Sequence, residues 1–318
     1  LKLGTKFTNS ISQDFVYLPG GTFKMGSPAN EFERDDDERQ HTVVLTRGFF
    51  MATTETTQAA YKKITGESPW SGEDYVQEGA DYPAVYVSWD DTNAKLPMRN
   101  YQCEITNAKL PMRNYQCEIT NAKFIKKLNE IERDSGNLAS GWEYRLPTEA
   151  QWEYAARAGS PSGYCFGDDK SQLENYAWFF DNAWGIGEEY AHQVGQKRPN
   201  QGGLFDLHGN CWEWTADVYA DYPPGTVTDP LFKDGGSDCV SRGGSFDDSS
   251  KGCRTGFWTW NSPDDRLLNL GFRLVLRSTE LVEPSLPLPL GRIFRVGCLV
   301  AFQSEPLQRV FRNFGYAD

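Results

Sequence analysis

Residues 241–274 read SRGGSFDDSSKGCRTGFWTWNSPDDRLLNLGFRL, and the rest of the chain is organised around them. Both ends of the stretch read as framework. Arg242-Gly243-Gly244-Ser245-Phe246 sets paired glycines before an aromatic, which suits a strand edge where backbones approach closely. Residues 271–276, GFRLVL, are apolar or β-branched at most positions and predict one buried strand. Between these ends no period holds. Phe257, Trp258, Trp260, Leu267 and Leu268 stand among Gly, Ser, Thr, Asp and Asn. Large rigid apolar groups beside small adaptable polar ones are the mixture that binding loops use. The alternative is that these aromatics complete a core, although surface loops rarely carry tryptophan without a partner.

The composition narrows the function classes. The chain has 318 residues, enough for one large domain or two smaller ones. A net charge of −12 argues against nucleic acid as a general partner. No run of about 18 apolar residues occurs, so no membrane span is expected. Seven cysteines (Cys103, Cys117, Cys165, Cys211, Cys239, Cys253 and Cys298) form no CxxC pair. With only His41, His192 and His208, a zinc cluster or a Ser-His-Asp triad is poorly supplied. Thirty Gly and 17 Pro predict a loop-rich fold.

Taken in order, residues 1–14 are polar and read as a flexible segment. Residues 15–18 form a strand that turns at Pro19-Gly20-Gly21 and resumes as a hairpin through residues 22–26. The charge run 31–39, EFERDDDER, reads as a solvated loop. Residues 43–45 and 48–51 are further strands, and Thr54 or Thr56 caps a helix over 58–65. Ser88 caps the next helix, whose first turn carries Asp90 and Asp91. That helix is interrupted. Residues 92–105, TNAKLPMRNYQCEI, recur unchanged at 106–119, and deleting the 28 residues 96–123 would join one clean amphipathic helix. The stretch 96–123 is therefore read as a tandem insertion at the surface. Pro97 and Pro111 would break a continuous helix, and Cys103 and Cys117, at equivalent repeat positions, could pair. The best-defined helix follows Thr148, with Gln151 completing a capping box. A Pro-rich linker, EPSLPLPLG at 283–291, marks 277–318 as linker and accessory tail.

Seven motifs, in order, resemble the formylglycine-generating-enzyme (sulfatase-modifying factor) family. They are LPGGTFKMG at 18–26, ETTQ at 55–58, VSWD at 87–90, YRLPTEAQWEYAAR at 144–157, GNCWEW at 209–214, RGGS at 242–245 and GFR at 271–273. They span residues 15–276. The resemblance implies an α+β, C-type-lectin-like fold, loop-rich, with small antiparallel sheets and two main helices. The family's enzymes hold copper(I) between two cysteines after the Gly-Gly-Ser motif, soft thiolates being suitable ligands. Here that stretch contains only Cys253, and Asp248 stands where the other cysteine is expected. No copper is expected, and an oxidase acting on a peptide cysteine is the alternative reading.

The variable proteins of diversity-generating retroelements resemble this chain more closely. That resemblance implies a hypervariable segment at 241–276 on a fixed background of Ser245, Cys253, Arg254, Pro263, Asp264, Arg266 and residues 271–273. The ligand-binding positions would be Lys251, Gly252, Phe257, Trp258, Thr259, Trp260, Leu267 and Leu268, with Asn261 and Asn269 as unmutated template. The implied function is non-catalytic binding of an unknown protein or surface ligand by a monomer at the cell surface or otherwise outside the cytoplasm. A pseudoenzyme scaffold holding a partner protein is a third reading. The family also implies a structural calcium site at Glu55, Asp206, Glu213 and the backbone of Gly209 and Cys211. Otherwise Glu55 and Glu213 would bond buried backbone.

Overall fold

The computed structural model describes residues 2–92, 123–233 and 236–280. In chain order the elements are β1 Lys6–Thr8, β2 Asp14–Leu18, β3 Gly21–Met25, β4 His41–Leu45, β5 Phe49–Ala52, α1 Gln58–Thr65, α2 Trp89–Thr92, α3 Lys123–Asp134, β6 Trp142–Arg145, α4 Glu149–Arg157, β7 Trp212–Val218, β8 Thr226–Thr228, β9 Cys239–Arg242, β10 Trp258–Asn261, β11 Leu270–Gly271 and β12 Val275–Ser278. They build three small sheets, ordered β1-β2-β5-β12-β6, β10-β9-β7-β11 and β3-β4-β8. This is the loop-rich α+β fold the motifs imply. Most pairings are antiparallel, while β4–β8 and β7–β11 are parallel.

The five-stranded sheet is covered on both faces, which is why β5 (FFMA) is buried at every position. On one face Phe15, Phe50 and Tyr144 pack with Tyr61 of α1 and Phe124 of α3. On the other, Val16, Met51 and Val275 pack under Ala150, Trp152, Ala155 and Ala156 of α4. Helix α4 carries the expected capping box, with the Gln151 amide donating to the Thr148 hydroxyl at 3.1 Å and the Thr148 amide to the Gln151 side chain at 2.9 Å. Helix α1 is capped by Thr57 rather than Thr54 or Thr56, because Thr56 is buried and its amide donates to the Phe272 carbonyl.

Several expectations change. Residues 15–26 are not a hairpin: β2 lies in the five-stranded sheet and β3 pairs β4 in another. Their burial shows why, since β2 is buried at four consecutive positions while β3 alternates. Residues 271–276 are not one strand. Gly271 closes β11, Phe272-Arg273-Leu274 cross between sheets, and β12 begins at Val275. All of these residues are buried, so no period could reveal the break. The amino-terminal segment is not loose at Lys6–Thr8, which pairs with β2, and Phe7 stacks on Phe15 at 4.9 Å. Residues 96–122 of the insertion, the Cys103–Cys117 pairing and the tail beyond Glu280 lie outside the described residues.

The start of α4 also makes stability depend on pH. Burial, opposed by Arg242, pushes the Glu149 carboxyl up to about 7, and burial pushes Asp217 up to about 6. A carboxyl raised in the folded state contributes stability below its unfolded pKa of about 4.3 and loses it as pH rises through the folded value. Glu149→Gln is therefore expected to shrink the loss of stability between pH 5 and pH 8, measured by urea unfolding at both. An unchanged difference would count against the assignment.

Candidate functional site

Three arginines, Arg242, Arg254 and Arg273, are buried together with their glutamates. Arg242 leaves β9 and pairs with Glu153 of α4, and its guanidinium also donates to the carbonyls of Thr255, Gly256 and Phe257 at 2.8, 3.1 and 3.0 Å. Three consecutive carbonyls of an irregular loop are thus satisfied by one side chain. Arg254 reaches Glu31 at 2.6 Å, both oxygens of Glu38, and the Glu33 carbonyl at 2.9 Å. The charge run 31–39 is therefore not wholly solvated, since Glu38 has no exposed surface and Glu31 is held beside it. Arg273 pairs with Glu213 through both carboxylate oxygens. These pairs anchor the segment at positions 242, 254 and 273.

The structure sorts the predicted ligand-binding residues into groups. Trp258, Thr259 and Trp260 lie on β10, an edge strand hydrogen-bonded to β9. Alternation sets Trp258 and Trp260 on one face. There Tyr219 stacks on Trp258 at 5.1 Å and lies 6.4 Å from Trp260, which is 52% exposed. Phe257 instead packs against the core, 6.0 Å from Trp212, with the Arg254 guanidinium 5.8 Å and the Lys251 ammonium 5.6 Å from its ring. Lys251 pairs with Asp35 at 2.8 Å. Gly252 is buried, and a Cβ there would sit 3.1 Å from the Asp248 side chain, so it acts as framework. Leu267 is exposed, while Leu268 packs beside Phe246, Ala183, Ala191 and Trp184.

Sequence reasoning missed the surface partners of these groups. Tyr219 directly follows the strand that begins with Trp212 and ends at Val218. Trp184 meets exposed Tyr75 at 5.4 Å, and Phe180 and Ile186 are exposed nearby in sequence. The signal is the aromatic density of residues 176–190, YAWFFDNAWGIGEEY.

Beside Leu268 the chain carries a carboxylate pair. The Ser245 hydroxyl contacts Asp247 and Asp248, and Asn269 donates to Asp247 at 3.0 Å. Burial pushes Asp248 up to about 6, and burial together with Asp248 and Asp247 pushes the Cys253 thiol well up. The one thiol of this segment is thus fully buried and held neutral.

The residues named for calcium meet only in part. Burial, then Asp206, raises the Glu55 carboxyl well above its usual range, and Asp206 is likewise raised by burial. Glu55 accepts from Asn210 at 2.9 Å, and Asp206 from the Gly195 amide at 2.7 Å. Glu55 Oε2 and Asp206 Oδ1 are buried with no other hydrogen-bond partner, and the two carboxyl groups interact with each other through a side-chain hydrogen bond. Glu213 is turned to Arg273 and to the Trp152 indole at 2.8 Å. Gly209 approaches Trp178 so closely that a Cβ would lie 2.2 Å from its carbonyl, and the Cys211 thiol is 3.7 Å from Glu55. Among the described residues no group of three or more His, Cys, Asp or Glu side chains converges as metal ligands. The paired Glu55 and Asp206 oxygens would fit a hard cation in place of the proton between them, whereas Glu213 fits only if Arg273 shares it.

The fold and the segment it anchors define a class: a formylglycine-generating-enzyme-like scaffold presenting an irregular, arginine-clamped loop region. The sequence profile of the sulfatase-modifying factor enzyme 1-like domain matches residues 3–278, and the chain belongs to that family. It is 28% identical over 290 residues to the formylglycine-generating enzyme of Thermomonospora curvata, covering 83% of this chain and 93% of that one. It is also 34% identical over 216 residues to the inactive C-alpha-formylglycine-generating enzyme 2 of Bos taurus, covering 64% and 52%. Relatives named as the enzyme and as its inactive counterpart thus both match. Among solved structures it resembles PvdO from Pseudomonas aeruginosa (TM-score 0.65, 25% identity, covering 87% of this chain and 99% of that one). It also shares the fold of Treponema denticola variable protein 1 (TM-score 0.63, 24% identity, covering 85% and 98%).

Proposed function

We propose that this protein is a non-catalytic ligand-binding module whose binding surface is formed by the side chains set between Arg242, Arg254 and Arg273. The observation that carries this reading is that the one thiol of the segment, Cys253, is fully buried, with Asp248 rather than a second cysteine five residues before it. Copper(I) needs soft anionic sulfur, and one protonated thiol beside a carboxylate does not supply a pair. The arginine clamps support the same reading. They fix the loop backbone through buried groups, so exposed side chains such as Trp260 and Leu267 can change at little cost in stability. Tryptophan is also the residue most enriched among binding anchors.

The finer reading is that the segment is diversified by a retroelement and displayed at the cell surface, with its ligand set by Trp258, Thr259, Trp260, Leu267 and neighbours. Its test is sequencing of the coding region for residues 241–276 across a population of the source organism. Changes confined to positions between the anchored residues are the expected result. A uniform sequence there would sink this reading, and oxygen consumption with a cysteine peptide would then be assayed.

A structural calcium ion held by Glu55 and Asp206, with the backbone of Gly209 and Cys211, belongs to the same proposal. Its charge would replace the proton between the two carboxyl groups and hold the chain around them. Adding calcium to chelator-treated protein is expected to raise the melting midpoint, by roughly 2–4 °C for each kcal/mol of linkage. The effect should grow with pH, because binding displaces protons from the raised carboxyls. An identical response in Asp206→Asn would refute the assignment.

A further inference from the structure

A cleft of about 280 Å³ opens between the β4–β5 turn, the start of α4, residues 229–231 and the end of β12. Its polar lining comes from Arg47, Gln151, Asp229, Arg277, Ser278 and Thr279. Asp229 is the one carboxylate among these, and both its oxygens are engaged by Thr46, through the amide at 2.9 Å and through the hydroxyl. Arg47 gives one nitrogen to the Glu280 carbonyl, leaving the rest of its fork. Arg277 reaches Glu143 only at 3.5 Å, and Arg145 draws on the same carboxylate at 3.7 Å.

The strand register explains this crowding. Val275 faces Arg145 and Arg277 faces Glu143, so Arg145 and Arg277 are diagonal neighbours on one sheet face. Glu143 meets both guanidiniums only at long ion-pair distance, and Asp217 acts on Arg145 as well. The Nε atoms of both arginines are buried without a hydrogen-bond partner. Burial, and then Arg277, pulls the Arg145 guanidinium down to about 10, with Glu143 and Asp217 opposing. Such a site is unusual in a protein of net charge −12.

We propose that this cleft binds a small oxyanion, a phosphate or a compact polycarboxylate, with Arg277 and Arg47 as its charged contacts. Guanidinium forks match the planar or tetrahedral oxygen arrays of these anions. The Ser278 hydroxyl accepts from the Glu280 amide at 3.2 Å, which leaves its proton to donate. The volume lies just below the range of about 300–1,000 Å³ usual for drug-sized ligands, so a compact anion is the fitting size. None of these residues belongs to the variable segment's binding groups, so this site stands or falls separately from that reading.

The test is calorimetric titration of the full-length protein with sodium phosphate and with sodium citrate, at ionic strength held constant with sodium chloride. Saturable binding of either anion is expected, weakened about tenfold or more in Arg277→Gln and in Arg47→Gln. Binding of phosphate alone would assign a phosphoryl ligand, and of citrate alone a carboxylate. No saturable heat with either anion, or unchanged affinity in both variants, would overturn the proposal. If Arg277→Gln fails to fold, Arg47→Gln on the exposed turn carries the test.

Discussion

Arg254→Met is expected to lower the unfolding free energy by about 3–5 kcal/mol, the usual cost of removing one partner from a buried ion pair. The size follows from what is left behind. Glu38 has no exposed surface and Glu31 is side-chain buried to within 7%. Both would lose their guanidinium, while Glu38 would keep only the Ser27 hydroxyl and the Asp35 amide as donors. An uncompensated buried carboxylate takes up a proton, so the deficit should lessen as pH falls toward 5. Arg254→Lys should recover only part of the loss, because a single ammonium cannot serve two carboxylates and the Glu33 carbonyl in fork geometry. The triple variant Arg254→Met with Glu31→Gln and Glu38→Gln should recover more, since it removes the orphaned charges. Urea unfolding at pH 5 and pH 8 measures all three. A loss below about 1 kcal/mol for the first variant would show that water reaches Glu38 and that the clamp is not what holds the segment.

That clamp marks the limit of what the residues disclosed in advance. The fold was legible because its motifs couple local and long-range demands. The capping box at Thr148 and Gln151 and the apolar face of α4 announce a helix packed on a sheet. Strand partners were not legible. Phe272-Arg273-Leu274 and their neighbours are all buried, so the crossing from β11 to β12 leaves no periodic trace. Glu38 was misread for a related reason. Within EFERDDDER nothing local separates a carboxylate that meets Arg254, 216 residues later, from those that meet water. The candidate site was legible by type more than by geometry. Aromatic and small polar residues between the anchors stand out in the sequence as a group. Which of them face outward depended on the edge position of β10 and on Tyr219, both products of sheet order.

Phe257→Ala and Trp260→Ala, single changes three positions apart, are expected to act in opposite ways. Phe257 is half-buried against the main core cluster beside Trp212, with Arg254 and Lys251 over its ring. Truncating it opens space under the loop that Arg242 and Arg254 hold, at a cost of about 2–3 kcal/mol, somewhat below the full core value. Trp260 is 52% exposed on the edge strand, with Tyr219 as its described ring neighbour at 6.4 Å. Its truncation should change stability by less than about 0.5 kcal/mol. It removes the largest exposed anchor of the proposed surface, so it should act on binding instead, where loss of a central tryptophan costs about 2 kcal/mol or more. Scanning residues 241–276 for folded protein by surface display separates the two roles without knowledge of the ligand. Positions 259, 260 and 267 should accept nearly every residue type. Gly244, with φ of +73° and a Cβ that would lie 2.9 Å from the Gly252 carbonyl, should accept almost none. Intolerance at 260 equal to that at 257 would make Trp260 structural, and the binding surface would then have to be sought in the group around Leu267, Trp184 and Tyr75.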